Sequence, residues 1–132
     1  MKNKSVLLFL FLGFFVQAQQ KVSIDNQEVI RIETELASDK MEGRATFSPG
    51  IELASAFIEG EFKKIDLSYF DNLTNYRQEF DVKGKAANNV IGILPGKSKP
   101  NEYVIFSAHY DHLGMEKEGI DKIYNGANDD AS

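Results

Sequence analysis

There is no cysteine in these 132 residues, and that absence removes several chemistries at once. Disulfides, thiolate metal ligands and lipid attachment to a cysteine are all excluded. A metal in this chain must be held by histidine, aspartate, glutamate or water. Histidine is itself scarce: there are 2, His109 and His112, and both fall in one short stretch. Positive charge is in deficit, with 15 Lys and Arg against 20 Asp and Glu and a net charge of −5. Affinity for nucleic acid comes largely from Lys and Arg neutralising phosphates, so no nucleic-acid partner is expected. Internal repeats and low-complexity tracts are absent as well.

A long apolar run is also missing. The run Val6–Val16 is too short for a transmembrane helix, which needs about 20 residues. With Lys2 and Lys4 before it and Val16-Gln17-Ala18 after it, residues 1–18 read as a signal peptide. The protein is then expected to be exported, to the periplasm or the extracellular space, with no stable membrane insertion once the signal is cleaved. Losing two lysines makes the remainder, 19–132, more acidic still. Its length suits one small domain.

Asp25-Asn26-Gln27-Glu28 predicts a capping box, Asp25 accepting first-turn N–H groups and Glu28 reaching back. Val29, Ile32 and Leu36 follow at helical spacing, and the helix is expected to end near Ser38 to Lys40. Met41 to Gly50 is too rich in turn formers to be regular. Ser48 caps a second helix with Pro49 in its first position. Ala54, Phe57, Ile58, Phe62 and Ile65 make its buried face, and Gly60 is a weak point inside it. Asp66 to Asn75 reads as a loop, in which Asn72-Leu73-Thr74 fits the short glycosylation pattern. Tyr76–Val82 predicts an edge strand and Asn89–Leu94 a second strand, stopped by Pro95-Gly96. Tyr103–Ala108, largely β-branched, aromatic or small, predicts a strand buried on both faces. Too few residues separate it from Asn89–Leu94 for a parallel crossover, so the two are expected to be antiparallel neighbours. The fold class is α/β, a mixed sheet flanked by helices, with another helix beginning at Ser132.

Chemistry gathers where the Tyr103–Ala108 strand ends, the usual place for ligands in open α/β sheets. His109 emerges there, and a neutral imidazole is a good zinc ligand. Asp111, two residues on, leaves an extended chain on the same side and is placed to fix the tautomer of His109. Asp129, on the turn Asn125-Gly126-Ala127-Asn128-Asp129-Asp130, offers an oxygen from a second loop. Taken singly, a His-x-Asp pair is also what a surface ion pair looks like, and an Asn-Asp-Asp run what a solvated turn looks like. A calcium loop over Asp121…Asn125-Gly126…Asp129 fails on Ile123 and Ser132, where oxygen ligands are required.

Together, Ala108-His109-Tyr110-Asp111-His112-Leu113-Gly114 and Asn125-Gly126-Ala127-Asn128-Asp129-Asp130-Ala131-Ser132 resemble the co-catalytic di-zinc aminopeptidases of peptidase family M28. Leu36 to Arg44, Ser48-Pro49-Gly50 and Asn89-Val90-Ile91-Gly92 extend the likeness upstream. The resemblance implies a three-layer fold with a mixed sheet between helices, and two zinc ions. It implies that His109 binds one zinc, that Asp129 bridges both, that Asp111 orients His109, and that the Asp129–Asp130 peptide is cis. Substrates would be peptides or proteins, attacked at free amino ends by a metal-activated water. The general-base Glu-Glu pair and closing His of that family have no counterpart in this sequence. Residues 19–132 are therefore expected to be the N-terminal portion of a larger peptidase domain, inactive alone. An acyl-group hydrolase or cyclase on the same scaffold, and a secreted non-catalytic binding module of the same fold, are the alternatives.

Overall fold

The computed structural model describes residues 23–131. The signal segment read at 1–18 and the helix start read at Ser132 lie outside the described residues. Helix α1 spans Asn26–Leu36 and α2 spans Pro49–Lys64, joined through a 3-10 segment at Asp39–Arg44. Two antiparallel pairs follow: β1 (Arg77–Val82) with β2 (Lys85–Val90), and β3 (Gly114–Met115) with β4 (Ile123–Tyr124). The fold is thus helices with small antiparallel sheets. No helix among the described residues is long and apolar enough to cross a membrane.

The helix starts follow local chemistry. Asp25 accepts from Gln27 N at 2.9 Å, and Ser48 accepts from Ile51 N at 3.3 Å with Pro49 in the first turn, removing orphan donors at both N-termini. The reciprocal half of the capping box does not form. Glu28 instead accepts from Arg31 Nε at 3.0 Å and Nη2 at 2.9 Å, because an i,i+3 pair with a guanidinium competes for the same carboxylate. Arg31 also grips Glu61 of α2 in two-pronged fashion, at 2.6 and 3.1 Å, which holds the helices side by side.

Leu36, Met41, Ala54 and Ala131 are the buried core, with Ile32, Phe57, Ile58 and Tyr110 packed against it. Two residues of the expected stripes turn outward: Val29, near the start of α1, and Ile65, which caps α2. The β1–β2 hairpin turns on Lys83-Gly84, both with positive φ (54° and 82°), the geometry that matches strand twist in a two-residue turn. Arg77 fastens it to α2 through Glu59 and Glu52. Tyr76 is buried edge-on against Phe62 and Tyr69, its hydroxyl donating to Leu67 O at 2.7 Å.

Two strand expectations are corrected. The second strand runs Lys85–Val90 rather than Asn89–Leu94; beyond Val90 only Ile91 and Ile93 keep isolated bonds, to Tyr76 and Ser68. Tyr103–Ala108 is not a strand, and it does not pair with Asn89–Leu94. Val104, Ile105 and Phe106 are 83 %, 83 % and 92 % exposed. A strand apolar on both faces needs a neighbour at its edge and a layer on each side. Among the described residues nothing occupies those places.

Two glycines of different character test this packing. At Gly43, φ is +66° and an added Cβ would stand 2.2 Å from Gly114 O. Gly60 lies inside α2 with nothing within 4 Å. Gly43→Ala should therefore destabilise by about 3 kcal/mol or more, while Gly60→Ala should stabilise by up to about 1 kcal/mol. Urea unfolding of the two variants against wild type checks both signs.

Candidate metal centre

The site is assembled by the end of the 3-10 segment, where the backbone departs from helical geometry. Glu42, Gly43 and Arg44 have φ of 49°, 66° and 49°, three successive left-handed residues. For the two that are not glycine this costs about 1–3 kcal/mol each and persists only where surroundings enforce it. The enforcement is visible. Gly43 packs against the backbone of Gly114 and Tyr124, and His112 N donates to Arg44 O at 2.9 Å. The segment Gly43 to Thr46 is threaded between the two loops that carry the candidate ligands.

Arg44 points inward and is 1 % exposed. Its Nε donates to Tyr110 O at 2.9 Å, Nη1 to Asn125 O at 2.7 Å and to Leu36 O, and Nη2 to Gly126 O at 3.0 Å. Burial lowers its pKa, against the opposing fields of Asp111 and Asp129, but a guanidinium keeps its proton. Asn125 adds two bonds from its side-chain amide, to Ala37 O at 2.7 Å and Asp39 Oδ1 at 2.9 Å. Tyr110 is held from the opposite side, its hydroxyl donating to Asn88 O at 2.8 Å, and buried Ser55 donates to Asn88 Oδ1 at 2.8 Å.

His109 stands between these anchors with its side chain 53 % exposed. Its Nδ1 lies 3.0 Å from Asp111 O and 3.3 Å from Asp111 Oδ1. Asp111 in turn accepts from Thr46 Oγ1 at 2.7 Å. A proton held on Nδ1 leaves the Nε2 lone pair facing outward, which is the tautomer a metal needs. Nε2 lies 3.5 Å from Asp129 Oδ1 and 3.2 Å from Asp130 Oδ2. The Asp129–Asp130 peptide bond is cis. His109, Asp129 and Asp130 each offer a ligand atom, all within 4.8 Å of one another. Donors around one tetrahedral ion, each about 2.0–2.2 Å from it, stand roughly 3.4 Å apart. The His109 spacings fit that figure, and nitrogen with carboxylate oxygen is a suitable donor set for such an ion.

Residues 89–132 match Peptidase family M28. The match covers both ligand-bearing loops, so the relationship is to peptidases, which are hydrolases. The likeness over Leu36 to Gly50 lies outside the matched residues. No curated protein and no solved structure matches the chain.

Within the matched residues, the structure brings His109, Asp111 and Asp129 into one cluster. It adds Asp130, which sequence reasoning passed over although it sits next to Asp129. His112 has its Nδ1 3.8 Å from Asp129 Oδ2 and its ring edge-on to Tyr124. The roles of Arg44 and Thr46 were also missed; both lie in a turn-rich segment, and Arg44 closes the upstream stretch of the family likeness. Beside His109 a cavity of about 540 Å³ opens, walled by Phe47, Ile51, Phe80 and Ala87 with Tyr110 and Asp130 at the ligand end. A second hollow of about 480 Å³, against α1 at Ile30 and Ala37, has Glu33 as its one titratable residue. Chemistry therefore favours the first.

The His109 pKa is raised above the ordinary histidine value, chiefly by the bond from Nδ1 to the Asp111 carbonyl, with the charges of Asp130, Asp111 and Asp129 adding to it and desolvation opposing. A raised folded-state pKa means that protonated His109 stabilises the metal-free fold fully below the unfolded pKa. That contribution is lost as pH rises through the folded value. With Nδ1 bonded to the Asp111 carbonyl, the proton lost in this titration is the one on Nε2. Metal competes for that nitrogen, so affinity should change in the opposite sense and strengthen as pH rises through that pKa. NMR titration of metal-free protein should put the His109 midpoint above that of an ordinary histidine. Asp111→Asn should lower it only in part, since the carbonyl stays. A midpoint at or below the ordinary value would contradict this geometry.

Proposed function

We propose that this chain is the N-terminal part of an exported zinc-dependent exopeptidase of aminopeptidase type. The observation that carries the reading is the convergence of His109 Nε2 with the carboxylates of Asp129 and Asp130, at 3.5 and 3.2 Å, inside the segment that matches Peptidase family M28. Zinc bound there would supply a Lewis acid for the scissile carbonyl and lower the pKa of water. His109 and Asp129 are the residues that would hold it, Asp129 being shared between two ions.

The chain's own groups prepare that centre. The Asp111 carbonyl and carboxylate hold the Nδ1 proton of His109, and Thr46 holds Asp111. The acidic surround favours a cation and, beyond it, the ammonium end of a peptide substrate. Phe47, Ile51 and Phe80 give the cavity one apolar side on which a substrate side chain could rest. A catalytic zinc takes three protein ligands and keeps one open position. Two ions sharing Asp129 require more carboxylate and imidazole than His109, Asp129 and Asp130 provide, and a glutamate to take the proton from water. Those groups belong to further chain of the same protein, in our reading. The exposed, unpaired run Val104 to Phe106 supports this, because further strands would cover it and complete a mixed sheet between helix layers. Export follows from the reading of residues 1–18 as a signal.

The test uses the full-length protein, stripped by chelation and reloaded with zinc. Hydrolysis of aminoacyl-anilides should vanish on stripping and return on reloading, and an N-terminally blocked peptide should resist. Loss of a group that hydrogen-bonds to a zinc ligand typically costs 10–100-fold in activity, and loss of the ligand itself costs more, so His109→Ala and Asp129→Asn should lower kcat/KM by at least ~100-fold. Zinc-loaded protein that binds peptides without cleaving them would replace the peptidase by a binding module.

A further inference from the structure

Arg44 is the largest fully buried side chain among the described residues, and it is bonded to both ligand-bearing loops. Its Nε holds Tyr110 O, the carbonyl between His109 and Asp111, at 2.9 Å. Nη1 and Nη2 hold Asn125 O and Gly126 O, where the loop to Asp129 begins, at 2.7 and 3.0 Å. Its own carbonyl receives His112 N at 2.9 Å. The fourth acceptor is Leu36 O, at the end of α1.

Two features set this apart from ordinary core packing. First, a buried cation with no carboxylate partner is a poor way to stabilise a fold, since apolar residues of similar volume are often as good or better. Second, the backbone that delivers the side chain is left-handed at Glu42, Gly43 and Arg44 itself, a conformation that needs outside support. Every acceptor is a main-chain carbonyl, so what the guanidinium fixes is where two loops run.

Those loops have reason to separate. Asp111, Asp129 and Asp130 bring like charges to one place, with half-exposed His109 between them. A cationic brace behind both loops opposes that repulsion and holds the ligand atoms near the spacing an ion requires. We propose that Arg44 is a positioning residue for the metal centre: its planar fork sets the separation of the His109 and Asp129 loops before metal arrives. The inference rests on the metal reading given above. Lysine, a point charge with three rotatable donors, does not reproduce a fork that reaches four carbonyls.

The experiment is zinc affinity by chelator competition, together with the visible spectrum of the cobalt-loaded form, in full-length protein. Arg44→Lys should weaken zinc binding by about 10–100-fold, the range seen when a group that orients metal ligands is lost, and should change the cobalt spectrum. Phe62→Ala, which loosens packing against Tyr76 and Gly92, should lower stability and leave affinity and spectrum alone. Arg44→Gly, which suits the left-handed backbone, should regain affinity with millimolar methylguanidinium. If the variants do not fold, the wild type still reports: by linkage, zinc should slow exchange of the Arg44 Nε proton seen by NMR. Wild-type affinity retained in folded Arg44→Lys overturns the proposal, and so does Nε exchange that zinc leaves unchanged. A wild type that binds no zinc overturns the metal reading and this inference with it; zinc binding that survives Arg44→Lys overturns this inference alone.

Discussion

A positive charge taken out of water must find a replacement for its hydration shell, and here the replacement is four main-chain carbonyls. The effective penalty for burying such an ion is several kcal/mol even after relaxation. Each hydrogen bond to a charged group returns about 1.5–3 kcal/mol, so four of them are of the size needed to offset it. The balance holds only while all four acceptors are in place. Leu36, Tyr110 and the adjacent pair Asn125 and Gly126 come from three separate parts of the chain, and the guanidinium turns their positions into one constraint.

Much of the neighbouring structure follows from that constraint. The left-handed turn at Glu42 to Arg44 exists to aim the side chain inward, and Gly43 is in its place because a Cβ would strike Gly114 and Tyr124. Asn125 reinforces the same junction with bonds to Ala37 and Asp39. Tyr110 is fixed from two directions, by Arg44 at its carbonyl and by Asn88 at its hydroxyl. His109 and Asp111 therefore flank the most firmly held residue of their loop, although their own side chains face solvent.

What could be seen in the sequence was what short-range chemistry decides. Ser48-Pro49 starts a helix wherever an apolar stripe follows, and it does so here. His109 and Asp111 lie two residues apart, so an extended chain brings their side chains together without help from the rest of the fold. Asp129 could be read as an oxygen donor on a turn, but its pairing with His109 rested on the family resemblance, since nothing local links the two. Glu28 was misjudged because a cap and a guanidinium compete for one carboxylate, and sequence does not say which wins. Tyr103–Ala108 has the composition of a buried strand, but a strand is a relation between segments and composition names only one of them. Arg44 was invisible for the same reason, because its burial depends on carbonyls more than 60 residues further along.

The hairpin of β1 and β2 has a bearing on how such a protein can diversify. Phe80 and Ala87, directly opposite each other in the ladder, wall the cavity beside His109, and the hairpin turns at the exposed Lys83-Gly84. Antiparallel pairing alternates inward and outward side chains, so inserting one residue in one strand would turn its inward set outward. Insertions that add one residue to each strand keep the alternation and simply raise the wall. Lineages that alter this hairpin should then differ by even numbers of residues.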